Sequence, residues 1–145
     1  MKHLVYNNDD AHMAWAGDML RLTGPWPVDT KTIGIDDDGK LLCVVLYNMF
    51  VEASCTAHIV STRDRNWATR SVLAAVFAYP FVQLGLNRIT TPVARRNVDV
   101  QVFSLKLGFS FEGVLRGAHN DGDDEVLLGM LRSECRWIRG VNAHG

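Results

Sequence analysis

Four polar side chains alternate along one short stretch of this chain: Glu52, Ser54, Thr56 and His58. If residues 52–61 form a strand, a period of two puts all four on one face. A carboxylate followed by hydroxyls and an imidazole along one face can line a cleft and carry a proton out of it. Glu52 reads equally as an exposed residue at a strand start. His58 reads first as a hydrogen-bonded packing histidine and second as a base. The run Arg63-Asp64-Arg65-Asn66-Trp67-Ala68-Thr69-Arg70 follows and enters the longest helical pattern of the chain. Orphan N–H groups and the helix dipole favour an anion at such a place. The guanidinium groups of Arg65 and Arg70 and the Thr69 hydroxyl suit phosphate oxygens. The same run also reads as a capped loop.

Other chemistries have no support in the spacing. His3, His12, His58, His119 and His144 contain no pair at metal-ligand separation, and no metal is expected. Asp36-Asp37-Asp38-Gly39 lacks the spacing and distal Glu of a calcium loop and reads as a turn. The acidic cluster Asp121 to Glu125 reads as a solvated turn. No G-x-S-x-G, Walker or Rossmann pattern occurs.

The elements that must position these residues follow from periodicity and punctuation. Lys2–Tyr6 is a short strand. Asp9 or Asp10 caps a helix over Ala11–Leu22, which Gly24, Pro25 and Pro27 end. Thr30–Asp36 and Leu41–Val51 form a hairpin about Asp37-Asp38-Gly39-Lys40, and the continuous apolar run of the second strand makes it central. Glu52–Ser61 is the next strand. Trp67–Leu84 is the long helix, with Leu73, Val76, Phe77, Phe81 and Leu84 on one face and a kink at Pro80, closed by Gly85. Arg88–Ala94 is a strand, Val98–Leu107 a helix stopped by Gly108, and Phe109–Ala118 and Glu125–Arg132 are strands. Ser133–Val141 is a short tail. The order β-α-β-β-β-α-β-α-β-β predicts an α/β (α+β) domain, a mixed sheet of six to seven mostly antiparallel strands flanked by helices.

The 145 residues are 48% hydrophobic with a net charge of -1, which fits one globular domain over 1–145 and excludes a disordered chain. That charge gives no global basic signal, so a nucleic-acid partner is not expected. Cys43, Cys55 and Cys135 are odd in number and outside CxxC spacing, and read as buried reduced thiols. The N-terminus lacks the apolar core of a signal peptide, and no apolar run approaches the ~20 residues a bilayer span needs. A cytoplasmic protein without a membrane partner is expected.

The run NVDVQVFSLKLGFSFEGVLRG, Asn97 to Gly117, carries a family resemblance. Its order of Asn, short helix and Gly-Phe-x-x-Glu-Gly resembles the C-terminal half of the GNAT acetyltransferases, most of all the branch with the ribosomal-protein N-terminal acetyltransferases. The closing GMLRSECRWI, Gly129 to Ile138, is similar to the end of that branch. As a whole the chain resembles small GNAT-like proteins of phage and prophage genomes. The resemblance covers most of the chain by element order and is specific from Arg88 to Trp137.

It implies the GNAT fold, acetyl-coenzyme A as co-substrate, and N-acetyl transfer to a primary amine of a protein, peptide or small molecule by direct attack. The pantetheine would lie where two parallel strands splay, around Ile59-Val60 and Pro92-Val93. The pyrophosphate would lie on Arg63, Arg65, Asn66, Trp67, Ala68, Thr69 and Arg70. Arg63 and Ala68 fit the family's turn, while Asn66 stands where glycine is usual. Asn97 matches a cofactor-contacting position and is also a plain helix cap. Glu52, eleven residues before Arg63, matches the base of some members. Ser104 replaces the usual tyrosine acid four residues before Gly108-Phe109, and its hydroxyl is a far weaker acid. The substitutions at Asn66 and Ser104 motivate the alternative of a catalytically impaired binding or assembly module. The aromatic and apolar C-terminal strands offer a surface for a homodimer, and the sequence leaves the oligomeric state open.

Overall fold

The apolar run near residue 45 becomes the spine of the molecule. β3 (Lys40–Val51) pairs along nearly its whole length with β2 (Lys31–Asp37) on one edge and β4 (Ser54–Ser61) on the other. The computed structural model describes residues 1–140. Around β3 lie β1 (Lys2–Val5), α1 (Asp9–Leu20), α2 (Arg70–Ala78), β5 (Arg88–Ala94), α3 (Val98–Leu107), β6 (Ser110–Leu115) and β7 (Glu125–Leu131). They make one seven-stranded sheet in the order β1-β2-β3-β4-β5-β7-β6. Every pair is antiparallel except β4–β5. No helix among the described residues is long and apolar enough to cross a membrane.

Alternation along the strands divides the core in two. Val44, Leu46 and Val60 face α1, where Ala16, Met13, Trp15 and Trp26 cover them. Val45, Tyr47, Ala57 and Ile89 face the other way, onto Phe77 of α2, Leu107 of α3 and Phe109. Both faces of β3 are therefore buried, as an unbroken apolar run requires.

Pro80 shapes the long helix. Its ring has no N–H to give the carbonyl of Val76, four residues back. The buried Tyr47 hydroxyl donates to that carbonyl instead, at 2.6 Å. Beyond Ala78 the chain takes one π turn, Tyr79–Gln83, closed by Leu84 N–H to the Tyr79 carbonyl at 3.0 Å. The helix expected from Trp67 begins only at Arg70. The Thr69 hydroxyl accepts from Val72 N–H and caps it, while Trp67 is folded into the core with its indole N–H donating to Ser61 Oγ at 2.8 Å.

Further boundaries differ from expectation, among them the end of α1, at Leu20 and not Leu22, and β6, which is Ser110–Leu115 and not Phe109–Ala118. β4 starts at Ser54 because Glu52 occupies the β3–β4 turn with a left-handed φ of 54°. α1 starts at Asp9, and neither Asp9 nor Asp10 is its N-cap; the Asp9 carboxylate accepts from Thr32 N–H (3.0 Å) and Thr32 Oγ1 (2.8 Å) across the α1–β2 contact. The expected tail folds as the short turns Arg132–Glu134 and Arg136–Ile138. There the Trp137 indole and the Arg136 guanidinium donate to the Leu107 and Lys106 carbonyls that end α3. Val141, the last position of that tail, and His144 lie outside the described residues.

Candidate active site

β4 and β5 pair only from Ser54–Arg88 to Thr56–Thr90. Both strands then run on, β4 beside β3 as far as Ser61 and β5 beside β7 as far as Ala94. Each follows its own outer neighbour, and a wedge opens between residues 57–61 and 91–94. Pro92, which has no N–H to offer a ladder, lies in the unpaired stretch. The wedge is part of a cavity of about 480 Å³. Its walls are His58–Ser61 of β4 and Thr91–Ala94 of β5. Asn97, Val100 and Ser104 of α3 close one side, and Leu20, Leu22 and Trp26 close the α1 side.

Seven residues singled out from the sequence for the site meet here: His58, Ile59, Val60, Pro92, Val93, Asn97 and Ser104. Asn97 caps α3, its Oδ1 accepting from Val100 N–H at 3.3 Å, and it borders the cavity at the same time. Ser104 is buried on the cavity side of α3. The His58 ring meets Trp26 edge-on, with centroids 5.6 Å apart. Burial pushes the His58 imidazole down to about 4, so the ring is neutral near pH 7 and a weaker proton acceptor than a free imidazole.

Glu52, expected as the base, is not among the residues that line the cavity. It sits exposed in the turn before Ser54, at the paired end of β4, whereas the wedge opens at the other end. From Glu52 to Ile59 the chain advances by roughly 20 Å at the strand rise. The expected face Glu52-Ser54-Thr56-His58 therefore loses its first member, because a turn residue with positive φ does not continue the strand's alternation.

The arginine run lies directly beyond Ser61, and its groups are differently committed. Arg65 is bidentate to Asp99 of α3 at 2.6 and 3.2 Å and lies 4.5 Å over the Phe103 ring. That guanidinium holds the Asp99 carboxyl below the usual carboxylate range. Asn66 is tied back to Asp64: its N–H donates to Oδ1 at 2.9 Å and its Nδ2 to Oδ2 at 3.2 Å. The Trp67 side chain is in the core and only its backbone is left for a ligand. Ala68 N–H donates to the Arg65 carbonyl, and Thr69 caps α2. Arg63 and Arg70 are exposed and enter no ion pair among the described residues.

The strand edges of the wedge are unpaired and its walls are largely apolar, which suits an extended chain with amide groups. None of residues 63–70 is in the cavity lining; Arg63, Arg70 and the first turn of α2 keep free donors for an anion, while the Asn66 N–H already serves Asp64. No group of three His, Cys, Asp or Glu side chains among the described residues is placed to hold a metal ion.

The acidic cluster is only partly the solvated turn expected. Asp121 and Asp123 pair with Arg96, and Asp124 pairs with Arg95 and accepts from Gly117 N–H. These bonds tie the β6–β7 loop to the β5–α3 link and hold Ala118, His119 and Asn120 as a cavity wall. Glu125 faces the cavity instead. The signal was the alternation of β7, in which Glu125 opposes the buried set Val126, Leu128 and Met130.

No protein-family model matches the chain, and no curated protein matches it in sequence. Solved structures do. A mutant form of the spermidine/spermine N-acetyltransferase SpeG from Vibrio cholerae superposes with a TM-score of 0.75 at 15% identity, over 98% of this chain and 100% of that one. SpeG from the same organism in complex with manganese ions gives 0.75 at 15% identity, over 97% of each chain. A dodecameric spermidine N-acetyltransferase from Vibrio cholerae in an intermediate state gives 0.72 at 16% identity, over 91% and 94%. At such identities the likeness is one of fold, and this chain has the GNAT fold that these enzymes share.

Proposed function

We propose that this protein is an acetyl-coenzyme A-dependent N-acetyltransferase, working as a single domain over 1–145, that acetylates a primary amine by direct attack. The observation that carries the reading is the loss of β4–β5 pairing after Thr56–Thr90, which leaves a strand-sized wedge in the sheet. The exposed backbone groups of 57–61 and 91–94 would hold the pantetheine as a third strand would. Arg63, Arg70 and the start of α2 would take its phosphates, with Asn97 beside them.

Bound acetyl-coenzyme A supplies an activated acetyl thioester. The acceptor nitrogen, as the neutral amine, forms a C–N bond to the acetyl carbon and the C–S bond breaks; of the two protons the starting ammonium gives up, one ends on the coenzyme A sulfur and one is released. Neutral His58 is the proton acceptor in this reading, and the Ser104 hydroxyl is the hydrogen-bond donor to the departing sulfur. Spermidine and spermine, the substrates of the fold neighbours, carry primary amines and are consistent with this class.

Placement in the ribosomal-protein branch, and among phage-encoded forms, is supported by the Asn97–Gly117 and Gly129–Ile138 runs. A cytoplasmic setting is supported by three buried, unbridged cysteines. Self-association is supported by the sheet edge β6, where Phe111 is 61% exposed, by the exposed Val98, Val102 and Leu105 of α3, and by the dodecameric fold neighbour.

Thiol release from acetyl-coenzyme A, followed across a panel of amines, tests the function. Turnover with at least one amine is expected, and His58→Gln should lower kcat by about 10²-fold or more with little change in KM for acetyl-coenzyme A. Binding without thiol release from any amine would favour the binding module instead.

A further inference from the structure

The two ends of the cavity differ in chemistry. Register puts His58 and Glu125 on the α1 face of the sheet. His58 pairs with Leu46 of the α1-side core, and Glu125 precedes Val126 of the opposite core. The arginine turn, α2 and α3 stand on that opposite face. A co-substrate whose phosphates rest at the start of α2 leaves the α1 face open to the acceptor. The walls there are Met19, Leu20, Leu22 and Trp26, with His119 and Asn120 of the β6–β7 loop also in the lining.

Among the described residues, Glu125 is the one carboxylate in the cavity lining, which holds no lysine or arginine. It is half-buried and enters none of the ion pairs, although Asp121, Asp123 and Asp124 beside it are all taken by arginines. A single carboxylate without a cationic partner, facing apolar side chains on the α1 side, attracts one cation and gains most when that cation brings apolar surface with it.

We infer that the acceptor is a monoamine on an apolar or aromatic stem, with its ammonium held by Glu125 and its stem packed against Leu20, Leu22 and Trp26. The second and third charges of a polyamine would find no further carboxylate in this lining, so this chain departs from the spermidine and spermine substrates of its fold neighbours. The inference rests on the acetyltransferase reading and names the substrate class of that site. Glu125 is a binding and specificity residue in it, while the proton of the transfer step still goes to His58.

Calorimetric titration of the free full-length protein with 2-phenylethylamine and with spermidine tests this without requiring turnover. The wild type should bind 2-phenylethylamine more tightly than spermidine, and Glu125→Gln should weaken 2-phenylethylamine by at least about tenfold. Equal or tighter spermidine binding overturns the inference, as does no binding of 2-phenylethylamine. The comparison of the two amines on the wild type stands even if the variant folds poorly. Unchanged affinity in a folded variant also overturns it. Thiol release with spermidine but not with 2-phenylethylamine would remove the inference and leave the transferase intact. Amine binding without thiol release would do the reverse.

Discussion

Removing one hydroxyl, in Tyr47→Phe, should expose how the proline-broken helix is held on the sheet. Tyr47 is 1% exposed, and its hydroxyl makes a 2.6 Å bond to the Val76 carbonyl. Burial raises the Tyr47 phenol well above its usual range, so it remains a donor at every working pH. The substitution keeps the ring and strands a buried carbonyl, which costs about 1–3 kcal/mol. At about 2–4 °C per kcal/mol for a chain near this size, a loss of about 2 kcal/mol lowers Tm by about 4–8 °C. The cause is testable by a second substitution. In Pro80→Ala the new backbone N–H can serve Val76 itself, so Tyr47→Phe should cost less than about 1 kcal/mol in that background. The double-mutant cycle is read by urea unfolding of all four proteins. An equal cost in both backgrounds would refute the claim that Tyr47 replaces the donor Pro80 lacks.

Other perturbations should separate in the same way. Gly34→Ala would set a Cβ 2.5 Å from Nε2 of the buried His12, which is itself held by Thr32 Oγ1 at 2.7 Å, and should cost about 1–3 kcal/mol by urea melts. His58 has a folded pKa of about 4, below its usual 6.5, so the unfolded chain takes up the proton first. Its contribution to stability is whole above pH 6.5 and falls as pH drops toward 4, by up to about 3 kcal/mol, and His58→Asn should flatten that stretch of the stability profile. Arg63→Ala with Arg70→Ala should weaken acetyl-coenzyme A by about tenfold or more in a direct titration. Asn66→Ala should change it by less than about twofold, since the Asn66 side chain is spent on Asp64.

The sequence carries most of the architecture because its punctuation is strong where the topology turns. Asn97 and Gly108 bracket α3 at the bounds read from them, and Gly108 has the left-handed φ of 116° that a helix stop calls for. Arg88–Ala94 keeps its ends, and the full order of strands and helices is as the periodicity implies. The β3–β4 turn was illegible because no Gly, Pro or Asn marks its tip. Met49 and Glu52 both take left-handed φ values that their side chains disfavour, and only the bulged register with β4 reveals it. Trp67 reads as a helical residue from its neighbours, yet tertiary packing against Ser61 and Phe103 takes it before the helix begins. Glu125 was hidden in an acidic run whose other members are spent on Arg95 and Arg96. Telling it from them needs the strand pairing that turns it toward the cavity.

Amide hydrogen exchange with and without acetyl-coenzyme A tests the central claim most directly. If the wedge holds the pantetheine, residues 57–61 and 91–94 should gain protection together, with the start of α2 at Arg70 and Ser71, while the turn holding Glu52 does not change. Protection confined to other surfaces, or no change at saturating ligand, would contradict the assignment of the β4–β5 gap as the co-substrate site.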